Sequence, residues 1–133
     1  MIQNKQQHFI VIDDSKLDCF IAEKIIKNTG KCASVVSFLS AQEALEFITS
    51  NTTNSPYPII VLVDIQMPVM NGFEFVEAFE KLPVNITKNY NIYVISSSIN
   101  DNDIVKIPNY SSVIQFLNKP LTSNNLSALL MKD

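Results

Sequence analysis

The chain has 133 residues, of which 47% are hydrophobic and 17% are charged, and its net charge is −3. This length and balance predict one folded domain with a single core and exclude a disordered chain. Weak acidity without a dense Lys/Arg patch argues against a nucleic-acid partner. We find no apolar signal segment at the N-terminus and no apolar run of membrane-spanning length, so we expect a cytoplasmic protein with no membrane partner.

Apolar runs alternate with helical patterns along the chain. The patterns predict five strands, over Phe9 to Ile12, Ala33 to Leu39, Ile59 to Val63, Ile92 to Ile95 and Ser112 to Leu117. A helix is predicted after each strand: one capped by Ser15 and stopped at Gly30, one capped by Ser40, one over Phe73 to Leu82, a short one over Asn100 to Ile107 that ends before Pro108, and a last one capped by Thr122 or Ser123. A loop is predicted over Pro83 to Asn91. In the first helix, apolar residues recur at helical spacing at Leu17, Phe20, Ile21, Ile25 and Ile26.

Strand and helix therefore alternate five times. Such alternation indicates right-handed crossovers and a parallel sheet with helices on both faces, an α/β fold. Five strands suit a flavodoxin-like (βα)5 doubly wound sandwich with strand order 2-1-3-4-5.

Polar residues follow four of the predicted strands. Strand one runs into Asp13 and Asp14, strand three into Asp64, strand four into Ser96 and strand five into Lys119. In a parallel sheet these ends lie along one edge, and the order 2-1-3-4-5 makes strands one and three neighbours. We therefore predict that three carboxylates meet in one crevice. Taken singly, the acids are equally compatible with solvated turns.

Three adjacent carboxylates repel each other, and repulsion raises at least one pKa unless a cation intervenes. A half-open acidic cleft suits Mg²⁺. The ammonium of Lys119 and the hydroxyl of Ser96 can both approach a phosphoryl oxygen. The set of groups favours phosphoryl transfer onto a carboxylate.

Four segments together resemble the receiver domain of two-component response regulators, the CheY-like family. They are IVIDDS at Ile10 to Ser15, VDIQMPVMNG at Val63 to Gly72, VISS at Val94 to Ser97, and FLNKP at Phe116 to Pro120. They stand in the family's order and spacing and span nearly the whole chain, which predicts a single receiver domain over residues 1–133.

The resemblance implies a role for each residue of the crevice. Asp64 would accept a phosphoryl group from a phosphohistidine on a histidine kinase or histidine phosphotransfer protein. Asp14, Asp64 and the backbone carbonyl of Gln66 would bind Mg²⁺ directly, and Asp13 would act mainly through a metal-bound water. Lys119 would pair with a phosphoryl oxygen.

The resemblance also implies a switch and a backbone feature. Ser96 and Phe116 match the family's switch pair, in which the hydroxyl moves toward the phosphoryl group and the aromatic ring turns inward. The Lys119–Pro120 peptide is expected to be cis. The family usually has Gly-Ala before strand five, whereas Ile107 to Ser112 has the sequence IPNYSS in this chain.

These features predict a phosphorelay switch that catalyses only its own phosphorylation and autodephosphorylation and acts on an unknown downstream protein. The alternative is a receiver-like interaction module that does not switch. A haloacid-dehalogenase-like phosphatase is disfavoured because Asp64 lies mid-chain with Gln66 two residues later. A flavodoxin is disfavoured because the acids after strand one would repel the phosphate of its cofactor.

Overall fold

The computed structural model describes residues 6–51, 56–97 and 101–131. Its strands are β1 (Gln7–Ile12), β2 (Cys32–Phe38), β3 (Ile59–Asp64), β4 (Tyr90–Ser96) and β5 (Val113–Asn118). Its helices are α1 (Lys16–Asn28), α2 (Ala41–Ser50), α3 (Gly72–Glu80), α4 (Val84–Thr87), α5 (Asp101–Lys106) and α6 (Ser123–Met131), and a 3₁₀ turn spans Ile107–Asn109. The described helices include none with the length and apolar character that a membrane crossing requires.

The five strands form one sheet in the order β2-β1-β3-β4-β5, and every neighbouring pair is parallel. The predicted flavodoxin-like fold is therefore confirmed. All six residues of β3, the central strand, are buried, whereas β5 at the sheet edge buries only Leu117. A continuous apolar run is typical of a parallel strand that is covered on both faces.

Two hydrophobic layers lie on opposite faces of the sheet. In one layer α1 and α6 pack on the sheet through Ile26, Leu126 and Leu129. In the other, α2 and α3 pack through Ile48, Phe75 and Phe79. This arrangement leaves the carboxyl ends of the strands between the layers, where chemistry can be placed.

Helix α1 buries a different face from the one that its large apolar residues suggest. Its buried residues are Cys19, Ala22 and Ile26. Leu17, Phe20 and Ile21 are 66%, 56% and 42% exposed. Helical spacing of apolar residues predicts the helix correctly but does not identify its buried face at these three positions. The small side chains of Cys19 and Ala22 lie against the sheet instead.

Three smaller expectations are settled by the backbone. The predicted loop from Pro83 contains the short helix α4, and β4 already begins at Tyr90. Helix α5 ends at Lys106, before Pro108 as predicted, and Pro108 lies in the 3₁₀ turn that follows, where its missing N–H is tolerated. The start of that helix at Asn100 lies outside the described residues. Thr122 caps the last helix, since its hydroxyl accepts the Asn125 N–H at 3.0 Å.

Candidate functional site

The register of the parallel strands places the polar residues side by side. Ile12 pairs with Val63, so that Asp13 and Asp64 come next on two neighbouring strands. Beyond the ladder, the Ile65 N–H donates to the Ile95 carbonyl at 3.0 Å, and the Lys119 N–H donates to the Ser96 carbonyl at 3.0 Å. These backbone bonds hold the strand ends together at one edge of the sheet.

Asp13, Asp14 and Asp64 meet at this edge. Each offers one carboxylate oxygen, and these oxygens all lie within 4.8 Å of one another. Asp13 and Asp64 are only 2% and 6% exposed, whereas Asp14 is open to solvent. The predicted shared crevice is therefore present, with two of its acids shielded from water.

Lys119 lies across the crevice from the acids, as expected. Its Nζ is 2.7 Å from Asp13 Oδ2, 2.9 Å from Asp18 Oδ2 and 3.4 Å from Asp64 Oδ2. Burial opposes the charge of this ammonium, but the hydrogen bonds with Asp13 and Asp18 outweigh burial and raise the pKa of Lys119. The Lys119–Pro120 peptide is cis, which confirms the expectation.

Asp18 is a crevice residue that the sequence analysis missed. It lies in the first turn of α1, and its N–H donates to the Ser15 hydroxyl at 3.1 Å. An acid at this position has an ordinary explanation in the helix dipole. Its contact with Lys119, 101 residues away in sequence, depends on tertiary structure.

The carboxyl of Asp64 is poorly stabilised as an anion. Burial raises the pKa of Asp64, and the neighbouring Asp13 charge raises it further. Lys119 and the Gln66 N–H, which donates to Asp64 Oδ1 at 3.3 Å, act in the opposite direction. Three convergent carboxylates suit a hard divalent cation with oxygen ligands such as Mg²⁺. The ligand role of the Gln66 carbonyl stays a prediction.

The start of α3 supports the loop that follows Asp64. A Cβ at Gly72 would lie 2.7 Å from the Asp64 carbonyl oxygen and 2.8 Å from Ile65 Cα, so only glycine fits there. The side chains of Asn71 and Glu74 form a reciprocal capping box at this helix start. Within the same loop, Val69 is 97% exposed and has a φ of +69°, a strained conformation for a β-branched residue.

The two residues of the predicted switch pair lie on adjacent strands. Ser96 pairs with Asn118, and Phe116, two residues earlier on β5, pairs with Val94. Alternation along strands therefore places Ser96 and Phe116 on the same face of the sheet. Ser96 is fully buried and Phe116 is half-buried. Their switching role stays a prediction.

The segment before β5, where the family's Gly-Ala pair is missing, is fastened to α3. The Tyr110 hydroxyl donates to Glu77 at 2.7 Å, and its ring stacks on Phe73 with centroids 5.7 Å apart. The Ser112 N–H and hydroxyl both donate to Glu80, at 2.9 and 2.5 Å. We call the Tyr110–Glu77 and Ser112–Glu80 pairs the β5 latch.

Comparison with known sequences identifies relatives over nearly the whole chain. Residues 9–131 match the family model described as "Response regulator receiver domain". The sensor histidine kinase CheAY of Helicobacter pylori is 27% identical over 98% of this chain, which spans 15% of that protein. The response regulator Rcp1 of a Synechocystis strain is 22% identical over 77% of this chain and 69% of its own length.

Solved structures show the same architecture. A response regulator receiver protein from Dyadobacter fermentans has a TM-score of 0.82 and 36% identity, covering 93% of this chain and 94% of that one. A two-component response regulator from Cytophaga hutchinsonii has a TM-score of 0.84 and 27% identity, covering 95% of both chains. The family match, the shared fold and the acidic crevice agree, and the chain belongs to the response regulator receiver domain family of two-component signalling.

Proposed function

We propose that the chain is a single receiver domain over residues 1–133 that accepts a phosphoryl group on Asp64. The observation that carries the proposal is the burial of Asp64 where three carboxylates and the Lys119 ammonium converge. Asp64 sits at the carboxyl end of the central strand, where open α/β sheets place their ligands. An oxygen of Asp64 attacks the phosphorus of a phosphohistidine, the phosphorus–nitrogen bond breaks, and its electron pair leaves with the imidazole.

The surrounding residues position the incoming group and neutralise its charge. The ammonium of Lys119 moves from the carboxylates toward a phosphoryl oxygen, and the Ser96 hydroxyl donates to another. The carbonyl of Gln66, with Asp14 and Asp64, would hold Mg²⁺ directly, and Asp13 would contribute through water. The metal would supply charge neutralisation between the acids and the phosphoryl group. Water later hydrolyses the acyl phosphate, so the domain resets without acting on a metabolite.

The phosphodonor is a histidine kinase or a histidine phosphotransfer protein. A protein donor is favoured by the apolar surface beside the crevice, where α1 exposes Leu17, Phe20 and Ile21. Ile21 also lines a cavity of about 260 Å³ that reaches Asp13 and Lys119. An exposed apolar patch next to a reactive site is typical of a protein-binding surface. We place the domain in the cytoplasm, with no nucleic-acid or membrane partner.

Phosphorylation of Asp64 switches a second surface of the domain, which then binds the downstream protein. The added charge and acceptor oxygens recruit Ser96 and Lys119. Movement of Ser96 allows the Phe116 ring to turn inward on the same sheet face, and the α5–β5 surface follows. The phosphoryl group acts by favouring one of two existing arrangements.

Labelling with acetyl phosphate and Mg²⁺ tests the proposal. Intact-protein mass spectrometry is expected to show one added phosphoryl group in the wild type and none in Asp64→Asn. Glu46→Gln on α2 is the charge-matched control, because it removes one exposed acid that is not part of the crevice. It should label like the wild type. Chelation of the metal should abolish labelling. If wild type and Asp64→Asn behave alike, the chain is an interaction module rather than a switch.

A further inference from the structure

Lys119 is shared among three acids, and one of them is outside the expected site. Its Nζ lies closer to Asp18 Oδ2, at 2.9 Å, than to Asp64 Oδ2, at 3.4 Å. An ammonium has three N–H donors, and in this crevice three carboxylates take them. A phosphoryl oxygen that arrives at Asp64 must therefore displace one of these acids from Lys119.

The three acids differ in how easily they can release the ammonium. The side chains of Asp13 and Asp64 are 2% and 8% exposed, whereas that of Asp18 is 41% exposed. A buried carboxylate that loses its cation is left uncompensated, while an exposed one is solvated by water. Asp18 is therefore the partner that gives up Lys119 most readily.

The position of Asp18 on α1 keeps its carboxylate available for this contact. Ser15 caps the Asp18 N–H, and the Ser15 N–H donates to Asp13 Oδ1 at 3.0 Å. In a capping box, an acid at the Asp18 position would accept the Ser15 N–H. Asp13 accepts that N–H instead, so the Asp18 carboxylate is not used to cap the helix. The Asp18 carboxylate reaches Lys119 and lines the cavity beside the crevice.

We propose that Asp18 is a positioning residue that holds Lys119 away from Asp64 in the unphosphorylated protein and so slows phosphorylation. This inference rests on the proposed role of Asp64 and adds a control on its rate. When the phosphoryl group arrives, the ammonium leaves Asp18 for the phosphoryl oxygen, and the Asp18 carboxylate turns to water. Removal of Asp18 leaves Lys119 nearer to its working position.

Phosphorylation by acetyl phosphate with Mg²⁺, followed in time by intact mass, tests this role. Asp18→Asn is expected to label about two- to fivefold faster than the wild type, which is the range that an exposed ion pair can supply. Asp18→Glu, which keeps the charge, should restore a rate close to that of the wild type. The control is Glu23→Gln on the same helix, whose side chain accepts from the Ser37 hydroxyl, and its rate should not change.

The contact itself is followed through the NMR signal of the Lys119 ammonium in the metal-free protein. Asp18→Asn should shift this signal and Glu23→Gln should leave it in place, whereas a role in α1 stability alone would move only the melting temperature. If the wild type labels at Asp64 and Asp18→Asn labels at the same rate, this inference is overturned and the proposed function remains intact. An equal acceleration in Glu23→Gln also overturns it, because the effect would then be general charge repulsion. Wild type that fails to label overturns both.

Discussion

The acidic crevice and the β5 latch are organised on opposite physical principles. The crevice concentrates features that oppose folding: converging carboxylates, an Asp64 carboxyl whose pKa is raised by burial, and the positive φ of Val69. The latch consists of favourable contacts at the surface, where Tyr110 and Ser112 each donate to a carboxylate of α3.

The difference shows that the residues proposed to carry function and the residues that add stability lie in different parts of this molecule. Buried like charges and backbone strain persist only where the surrounding structure holds them, and they mark sites of function. Surface hydrogen bonds add stability without constraining the chemistry. We therefore expect removal of the Asp64 charge or of the Val69 strain to raise stability, in the case of Asp64 at the expense of activity, and substitutions in the latch to lower stability with little effect on labelling of Asp64.

The backbone beneath the crevice should show the largest effect. We expect Gly72→Ala to lower the free energy of unfolding by about 2–3 kcal/mol, because its Cβ would overlap rigid backbone at Asp64 and Ile65. Gly30→Ala is the matched control: it has a φ of +74° but open space around the Cβ, so only about 1 kcal/mol of strain is expected. Urea denaturation measures both, and only Gly72→Ala should also slow labelling. Equal losses would show that the close approach is not what requires glycine.

The acid at the centre of the crevice should show the next largest effect, in the opposite direction. In metal-free buffer near neutral pH, Asp64→Asn is expected to raise the free energy of unfolding by about 1 kcal/mol. Because burial raises the pKa of Asp64 above its ordinary value of 3.8, the favourable protonated form is lost as the pH rises through the folded pKa. The gain in the free energy of unfolding of Asp64→Asn over the wild type should therefore appear as the pH rises from acid to neutral. An advantage that is constant over this range would rule out titration of Asp64 as its cause.

Relief of strain beside the crevice should give a smaller gain. Val69→Asn is expected to raise the free energy of unfolding by about 0.5–1 kcal/mol, because asparagine tolerates positive φ better than valine does. Little packing is lost, since Val69 is almost fully exposed. Val84→Asn changes an equally apolar exposed side chain in α4 and should bring no gain. A gain of similar size in both variants would assign the effect to polarity rather than to strain.

The latch should show the smallest effect. Tyr110→Phe keeps the ring on Phe73 but removes the hydrogen bond to Glu77, and we expect a loss of about 0.5 kcal/mol. That bond, together with burial and the charges of Glu77 and Glu80, raises the pKa of Tyr110 to about 12, so the contribution of the pairing is present below pH 10 and is lost as the pH rises through about 12. Ultraviolet titration of the tyrosinate follows this change. Glu77→Gln should lower the Tyr110 pKa toward 10, and an unchanged titration would argue against the pairing.

Much of the crevice could be predicted because its positions are local features of the chain. Asp13, Asp14 and Asp64 directly follow apolar runs, and Lys119 precedes a proline after another such run. A parallel sheet brings all such ends to one edge whatever the details of packing. Asp18 could not be found this way, because its partner is defined only when α1 and the loop after β5 are in place.

By itself, the sequence determined the alternation of strand and helix, the order of the sheet and three of the four acids of the crevice, since burial on both faces and turn chemistry are properties of short segments. The tertiary structure decided which face of α1 is buried, which acid shares Lys119, and how α3 holds the segment before β5. The latch joins residues 32 and 33 positions apart, and the Asp18 contact spans 101. Such pairings depend on the relative placement of whole elements, which no local pattern encodes.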